Sequence, residues 1–342
     1  MKKGRPFLPE EVIFAPTAQC NLHCAHCFVD RTRGTGTRRL SAENAIRFLE
    51  NCAESGIERV GFSGGEPFLA LSFLTPVISK TVELDLLFDR LMTNGVWWNT
   101  EEECRTALEA VYTAGFDGRI GLSIDAWHAQ DPGKLAFFIR TAFSVFGHTD
   151  LFEISTVSDR QGNWPTEILH AAAHELGAKL ILDGTIPTAI MTVSHSLKSS
   201  SGSNPLLSES DFTIPVTAIR FSAPPGDANA WNAGSWFTDD WCEGPGHVLY
   251  VHADGSVAVC CGFANERPEL IVGSISDPVE TLVSTAQGNP HITACYVEGL
   301  SSVRKVLEKK GAIFPGKTDD ICFFCDWLCN NGLSGNRTKP VR

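Results

Sequence analysis

Short runs with a two-residue apolar repeat alternate with longer runs of helical period through the first 190 residues of the chain. Residues 12–19 (VIFAPTAQ) read as a strand that feeds a cysteine-bearing loop. Ser41 is placed to cap a helix over 42–55, which Gly56 ends. Residues 58–62 then read as a strand stopped by a Gly-Gly turn. The alternation continues with a helix near 70–82, a strand over 86–95, a helix near 101–114 and a strand over 119–125. A helix near 133–146, a strand over 151–158, a helix near 165–176 and a strand over 179–186 complete the series. Strands alternating with helices predict an α/β fold with a parallel sheet and crossover helices. Six such units fall short of the eight of a closed barrel, so a partial (β/α)6 TIM-type barrel or an open sheet is implied.

The pattern stops at residues 194–211, a Ser/Gly/Pro stretch that reads as a linker loop or as an active-site flap. Beyond it periodicity weakens while Pro, Trp and Cys become frequent. Residues 247–261 (HVLYVHADGSVAVCC) form an exception, with two alternating runs around Asp254-Gly255, a favoured hairpin turn. This region looks like a small domain held by something other than a large apolar core, and metal is the available staple.

Composition narrows the picture. The 342 residues are 43% hydrophobic and 20% charged, ordinary for a globular protein with a sizeable core. A net charge of −12 without Lys/Arg runs argues against a nucleic-acid-binding surface. No stretch approaches the ~18 apolar residues that cross a bilayer, so no membrane association is expected. The start, MKKGRPFLPEEVIF, lacks the apolar core of a signal peptide, and a cytoplasmic protein is expected. Thiols clustered in that compartment are more often metal ligands or catalytic groups than disulfides. Of the twelve cysteines, three lie at 20–27 and seven at 242–329; Cys52 and Cys104 stand alone in helical stretches and read as small buried apolar residues.

Cys20, Cys24 and Cys27 put three thiols on one short loop, a spacing suited to iron–sulfur ligation that leaves one iron without a protein ligand. A zinc knuckle with His23 or His26 as fourth ligand competes with that reading. About forty residues on, Ser63-Gly64-Gly65-Glu66-Pro67 ends the next strand; its glycines let backbone approach a ligand, and its carboxylate can accept from an ammonium. The two motifs together resemble the radical S-adenosylmethionine (SAM) superfamily. The resemblance implies a catalytic [4Fe–4S] cluster on Cys20, Cys24 and Cys27, with SAM chelating the open iron. It also implies that Ser63, Gly64, Gly65 and Glu66 grip the amino group of SAM. Asn94, after Thr93, and Ser123 with Asp125 would lie near its carboxylate and ribose. His26 stands where the family usually has an aromatic residue against the adenine, a contact an imidazole can still supply by stacking.

The later cysteines resemble the family's SPASM or shortened twitch auxiliary domain, through the C-x12-G-x4-C spacing of Cys242, Gly255 and Cys260 and the distant C-x-x-C of Cys322 and Cys325. That implies at least one auxiliary [4Fe–4S] cluster on Cys242, Cys260, Cys322 and Cys325, with Cys261, Cys295 and Cys329 left over. A four-cysteine zinc site is the competing reading. The resemblance thus extends over a core at 10–215 and an auxiliary domain at 235–335. It implies an enzyme of oxidoreductase or maturase type that cleaves SAM to a 5′-deoxyadenosyl radical and abstracts a substrate hydrogen. Dehydrogenation, epimerisation or crosslinking of a peptide or small molecule would follow, with a flavodoxin or ferredoxin as electron donor. Cys261 and Cys329, or Cys295, are candidate hydrogen donors for epimerisation. His128 and Glu153 are candidate substrate-facing groups. Only nineteen residues precede Cys20, so a fused leader-binding domain is not expected. A non-catalytic zinc protein that binds partners is the alternative class.

Overall fold

The computed structural model describes residues 4, 6–27, 29, 38–159, 166–182, 188–193, 212–219, 228–238, 241–242, 247–262 and 264–333. The stretch 194–211, expected as a loop or flap, lies outside the described residues. The chain divides into two compact units, one of residues 1–15, 43–59 and 222–342, the other of residues 16–42 and 60–221.

The second unit carries strands β2 (Arg59–Phe62), β3 (Leu87–Thr93), β4 (Arg119–Ser123) and β5 (Phe152–Val157), then β6 (Ala178–Leu182), β7 (Thr188–Val193) and β8 (Phe212–Ile219). Their order is β2-β3-β4-β5-β8-β7-β6. Strands β3, β4, β5 and β8 run parallel, and β7 is antiparallel to both β8 and β6. Crossover helices α2 (Leu71–Glu83), α3 (Glu101–Thr113), α4 (Pro132–Phe146) and α5 (Thr166–Leu176) link them. The helices start where local chemistry directs. The Thr100 hydroxyl accepts from Glu103 N–H, and three glutamates occupy the first turn of α3, at the positive end of its dipole. Asp131 caps α4 ahead of Pro132, whose missing N–H costs nothing there.

One face of this sheet, with Leu91, Ile120, Leu122, Ile154 and Val216 fully buried, belongs to the core. Phe138 and Phe143 of α4 meet Phe152 there at ring separations of 6.1 and 5.1 Å. Because strand side chains alternate, Arg90, Met92, Ser123, Glu153, Ser155 and Thr217 occupy the opposite face. Ser123, Ser155 and Thr217 share one level across β4, β5 and β8. Arg90 reaches across Gly121 to Glu153, Nη1 to Oε1 2.7 Å.

The α/β architecture agrees with the sequence pattern, except at the sixth strand. Residues 179–186 were expected to complete the parallel series, yet β6 is the outer strand of an antiparallel hairpin and β8 takes the place beside β5. Apolar alternation marks a segment as a strand but not its partner or direction. Pro215, inside β8, further masks the strand that takes this place.

In the first unit β1 (Glu11–Phe14) pairs in parallel with β9 (Val248–Val251); β10 (Ser256–Ala258) and β11 (Ile271–Ser274) add antiparallel. The expected hairpin at Asp254-Gly255 is present, with Gly255 at φ +83° and the Asp254 carboxylate accepting from Ser256 N–H. Helices α1 (Ala42–Glu54), α6 (Val279–Gly288), α7 (Leu300–Lys309) and α8 (Ile321–Asn331) complete this unit. Cys52 in α1 and Cys104 in α3 are fully buried, as expected of small apolar residues. No helix among the described residues is long and apolar enough to cross a membrane.

Candidate functional site

The cysteine loop and the Gly-Gly-Glu turn are tied together by backbone. Gly65 N–H donates to the Thr17 carbonyl and Glu66 N–H to the Gln19 carbonyl, both at 2.8 Å. Gly64 sits at φ +115°, and a Cβ on Gly65 would collide with the Gln19 carbonyl oxygen. Gly64 is therefore required by its backbone conformation and Gly65 by the close approach of two backbones. Replacing Gly65 by alanine is expected to destabilise the chain by about 1–3 kcal/mol, the usual cost of overpacking, and to lower iron retention on the loop. Chemical denaturation and iron analysis measure the two effects.

Glu66 is fully buried. Oε1 accepts from Phe68 N–H (3.2 Å) and Thr93 Oγ1 (2.9 Å), and Oε2 from Asn94 N–H (2.9 Å). Burial outweighs these three bonds and pushes its carboxyl up to about 7. Asn94 continues the network: Nδ2 donates to Asn21 Oδ1 (2.8 Å) and lies 3.6 Å from Cys20 Sγ. Gln130 Nε2 holds the Asn94 and Ser123 carbonyls, each at 2.6 Å. One continuous set of hydrogen bonds thus joins Glu66, the end of β3 and the first cysteine. Thr93 was read from sequence only as part of the motif with Asn94, and Asn21 and Gln130 were not singled out; their hydrogen-bond partners were not visible there.

The three thiols are partly buried and unoxidised. Cys24 is pushed up to about 12, first by burial and then by the charge of Cys27, Cys20 and Asp125; burial likewise raises Cys20. Thiolates crowded in this way need a cation, so the donor set fits an iron–sulfur cluster. Among the described residues, the His, Cys, Asp and Glu ligand atoms gathered within 4.8 Å of one another are those of His26, Asp125 and His128, not these sulfurs. A tetrahedral zinc needs ligands about 3.8 Å apart, the edge set by a ~2.3 Å Zn–S bond, which disfavours the zinc knuckle.

Asp125, fully buried after β4, accepts from Trp127 N–H (2.9 Å) and His128 N–H (3.2 Å) through Oδ1. His128 Nδ1 lies 2.8 Å from Oδ1, and His26 Nε2 lies 4.0 Å from Oδ2. The rings of His26 and His128 meet edge-on at 5.1 Å. The sequence-chosen His26, Ser123 and Asp125 therefore gather at one end of the strands with Glu66 and Asn94. Ser63 is partly buried at the start of the Gly-Gly turn, His23 is exposed, and Glu153 is held by Arg90 instead.

In the other unit the later cysteines assemble. Cys322, Cys325 and Cys329 fall on one stripe of α8, at i, i+3 and i+7, behind the Asp320 cap. Burial is the main upward push on the thiols of Cys242, Cys260 and Cys322, and the sulfurs raise one another. Cys295 Sγ lies 3.7 Å from Cys325 Sγ. Cys261 packs partly buried against the apolar cluster of Ala15, Tyr250 and Ala258. Tyr296, 4% exposed, donates to the Val259 carbonyl at 2.9 Å and also contacts Cys242.

Residues 14–142 match the family model of the Radical SAM superfamily. Residues 14–142 are thus a radical SAM domain, a family that works with a [4Fe–4S] cluster and SAM. Over 116 residues the chain is 31% identical to GTP 3′,8-cyclase of Chlorobaculum tepidum, spanning 33% of this chain and 32% of that protein. Over 134 residues it is 30% identical to PqqA peptide cyclase of Methylorubrum populi, 37% of this chain and 33% of that one. The chain thus spans about a third of the length of these curated relatives. A solved structure of anSMEcpe with bound AdoMet aligns over 97% of this chain and 88% of that one, with TM-score 0.53 and 16% identity, which shows a shared fold.

Proposed function

We propose that the chain is a radical SAM enzyme that removes hydrogen from a peptide or small-molecule substrate, and that dehydrogenation is the outcome. The observation that carries the reading is the continuous hydrogen-bonded path from the buried Glu66 carboxylate through Thr93 and Asn94 to Cys20. Cys20, Cys24 and Cys27 would hold the catalytic cluster, and Glu66, with Ser63, Gly64 and Gly65, the ammonium of SAM. Asn94 would orient the carboxylate end, Ser123 and Asp125 the ribose, and His26 the adenine. Bound there, cluster and SAM supply a 5′-deoxyadenosyl radical.

The chain's own part is to orient these groups and choose which substrate hydrogen is reached. Arg90 and Glu153, with the hydroxyls of Ser123, Ser155 and Thr217, make the sheet face opposite the helices polar, suited to a hydrogen-bonding substrate. A peptide is favoured by the PqqA peptide cyclase among the relatives. Cys242, Cys260, Cys322 and Cys325 would hold an auxiliary cluster, and a flavodoxin or ferredoxin would supply electrons. Epimerisation needs a thiol that can give up hydrogen to the substrate. Cys329 is 1% exposed and hydrogen-bonded to Cys325, and Cys261 packs on apolar side chains, which supports dehydrogenation.

Anaerobic reconstitution followed by iron and sulfide analysis, then SAM with a reductant, tests the proposal. Iron, sulfide and 5′-deoxyadenosine together are the expected result. Stoichiometric zinc in a colourless protein that leaves SAM intact would favour the non-catalytic alternative.

A further inference from the structure

Seven of the first unit's eight cysteines lie at 242–329, where one auxiliary cubane uses four. Of the leftover thiols, Cys329 hydrogen-bonds to Cys325 from within the same helix, whereas Cys295 approaches it from another element. Cys295 is 5% exposed, and its Sγ lies 3.7 Å from that of Cys325. Its carbonyl accepts the Cys242 N–H at 3.2 Å, which ties it to a second member of the proposed ligand set. Both contacts are made from the π turn Ala294–Glu298. The turn holds one residue more than an α-helical turn, an expansion found often at functional sites. Here it brings the neighbours Cys295 and Tyr296 to the same thiol group, Tyr296 against Cys242 and Cys295 against Cys325.

We propose that Cys295 is an interchangeable ligand of the auxiliary site, able to take the coordination place of Cys325. This rests on the auxiliary iron–sulfur reading given above. A sulfur 3.7 Å from a ligand sulfur is near enough that a side-chain rotation would suffice for it to replace that ligand. Cys322 is the contrasting position. Its charged neighbours are Asp320 and the sulfurs of Cys260, Cys242 and Cys261, the first two of which are assigned to the same cluster. Cys261 stays packed against its apolar neighbours.

The test uses the full chain carrying C20A, C24A and C27A, so that iron and sulfide report the auxiliary site alone. About four irons per chain are expected in that background. Adding Cys325→Ala or Cys295→Ala is expected to leave iron, sulfide and visible absorbance at the parental level. Adding both, or Cys322→Ala alone, is expected to remove most of the iron. Far-UV circular dichroism and gel filtration establish that each variant is folded. If Cys325→Ala loses its iron as Cys322→Ala does, with both folded, the interchange is overturned while the auxiliary cluster stands. A background chain that binds no iron, or binds zinc instead, overturns the auxiliary reading itself and this inference with it, before any further substitution is made.

Discussion

Cys24→Ala is expected to bring 5′-deoxyadenosine formation to background, a loss well beyond the ~10–100-fold that removal of an outer-shell partner costs a metal site. Cys24 is the middle sulfur of the triplet, and its thiol is the one pushed up to about 12 by burial and by its two partners. At neutral pH the metal-free chain therefore holds Cys24 protonated, and iron must displace that proton to bind. Cluster uptake should accordingly weaken as pH falls. Cys52→Ala serves as the contrast: a fully buried thiol in α1, whose removal should cost stability without changing iron content. The measurement is product formation from SAM under reductant, read beside iron per chain. A Cys24→Ala protein that makes 5′-deoxyadenosine at the parental rate would remove the catalytic assignment.

The second large effect belongs to Glu66. Burial lifts its carboxyl from 4.5 to about 7 against the pull of Asn94 N–H, Phe68 N–H and the Thr93 hydroxyl. An acid with a folded pKa above its unfolded one binds more protons in the native state between those values. Its contribution to stability is therefore fully present below about pH 4.5, falls as pH rises through the window, and levels off above about pH 7. At ~1.4 kcal/mol per unit, the native metal-free chain should lose about 3 kcal/mol from this group across the window. Glu66→Gln, which cannot ionise, should abolish that slope. The difference in unfolding free energy between the two proteins, measured from pH 4.5 to 8, isolates the effect; a pH-independent difference would contradict it. The same substitution should weaken SAM binding to the reconstituted protein by about 10–100-fold, the range for losing a hydrogen bond to a charged group. Equilibrium titration with SAM reads this directly.

The parts of the fold that sequence made legible are those specified locally. The 42–55 helix expectation matches α1 within a residue, because amphipathic spacing and Gly56, at φ +82°, define it without reference to the rest of the chain. The Gly-Gly-Glu turn was legible for the same reason. Long-range partnership was not: the alternating run at 179–186 shows a strand but not that β8 lies between its hairpin and β5. Among the site residues, Glu66, Asn94 and Asp125 were visible as motif positions, whereas Gln130, which fixes two of the loop carbonyls, carries no local signature. The stripe of Cys322, Cys325 and Cys329 on α8 could have been read from i, i+3, i+7 spacing. Cys295 and Tyr296 could not, since no pattern announces the π turn that carries them.

Along one edge strand β1 pairs with β9, so Glu11 through Phe14 find their register there against Val248 through Val251, more than two hundred residues later in synthesis. Until the ribosome has delivered that stretch, the edge of β1 that meets β9 stays unpaired, and pairing so remote in sequence forms slowly. The cysteine loop, tied by its Thr17 and Gln19 carbonyls to Gly65 and Glu66, can take shape earlier, whereas a nascent chain stalled before residue 248 should expose a strand edge open to mispairing.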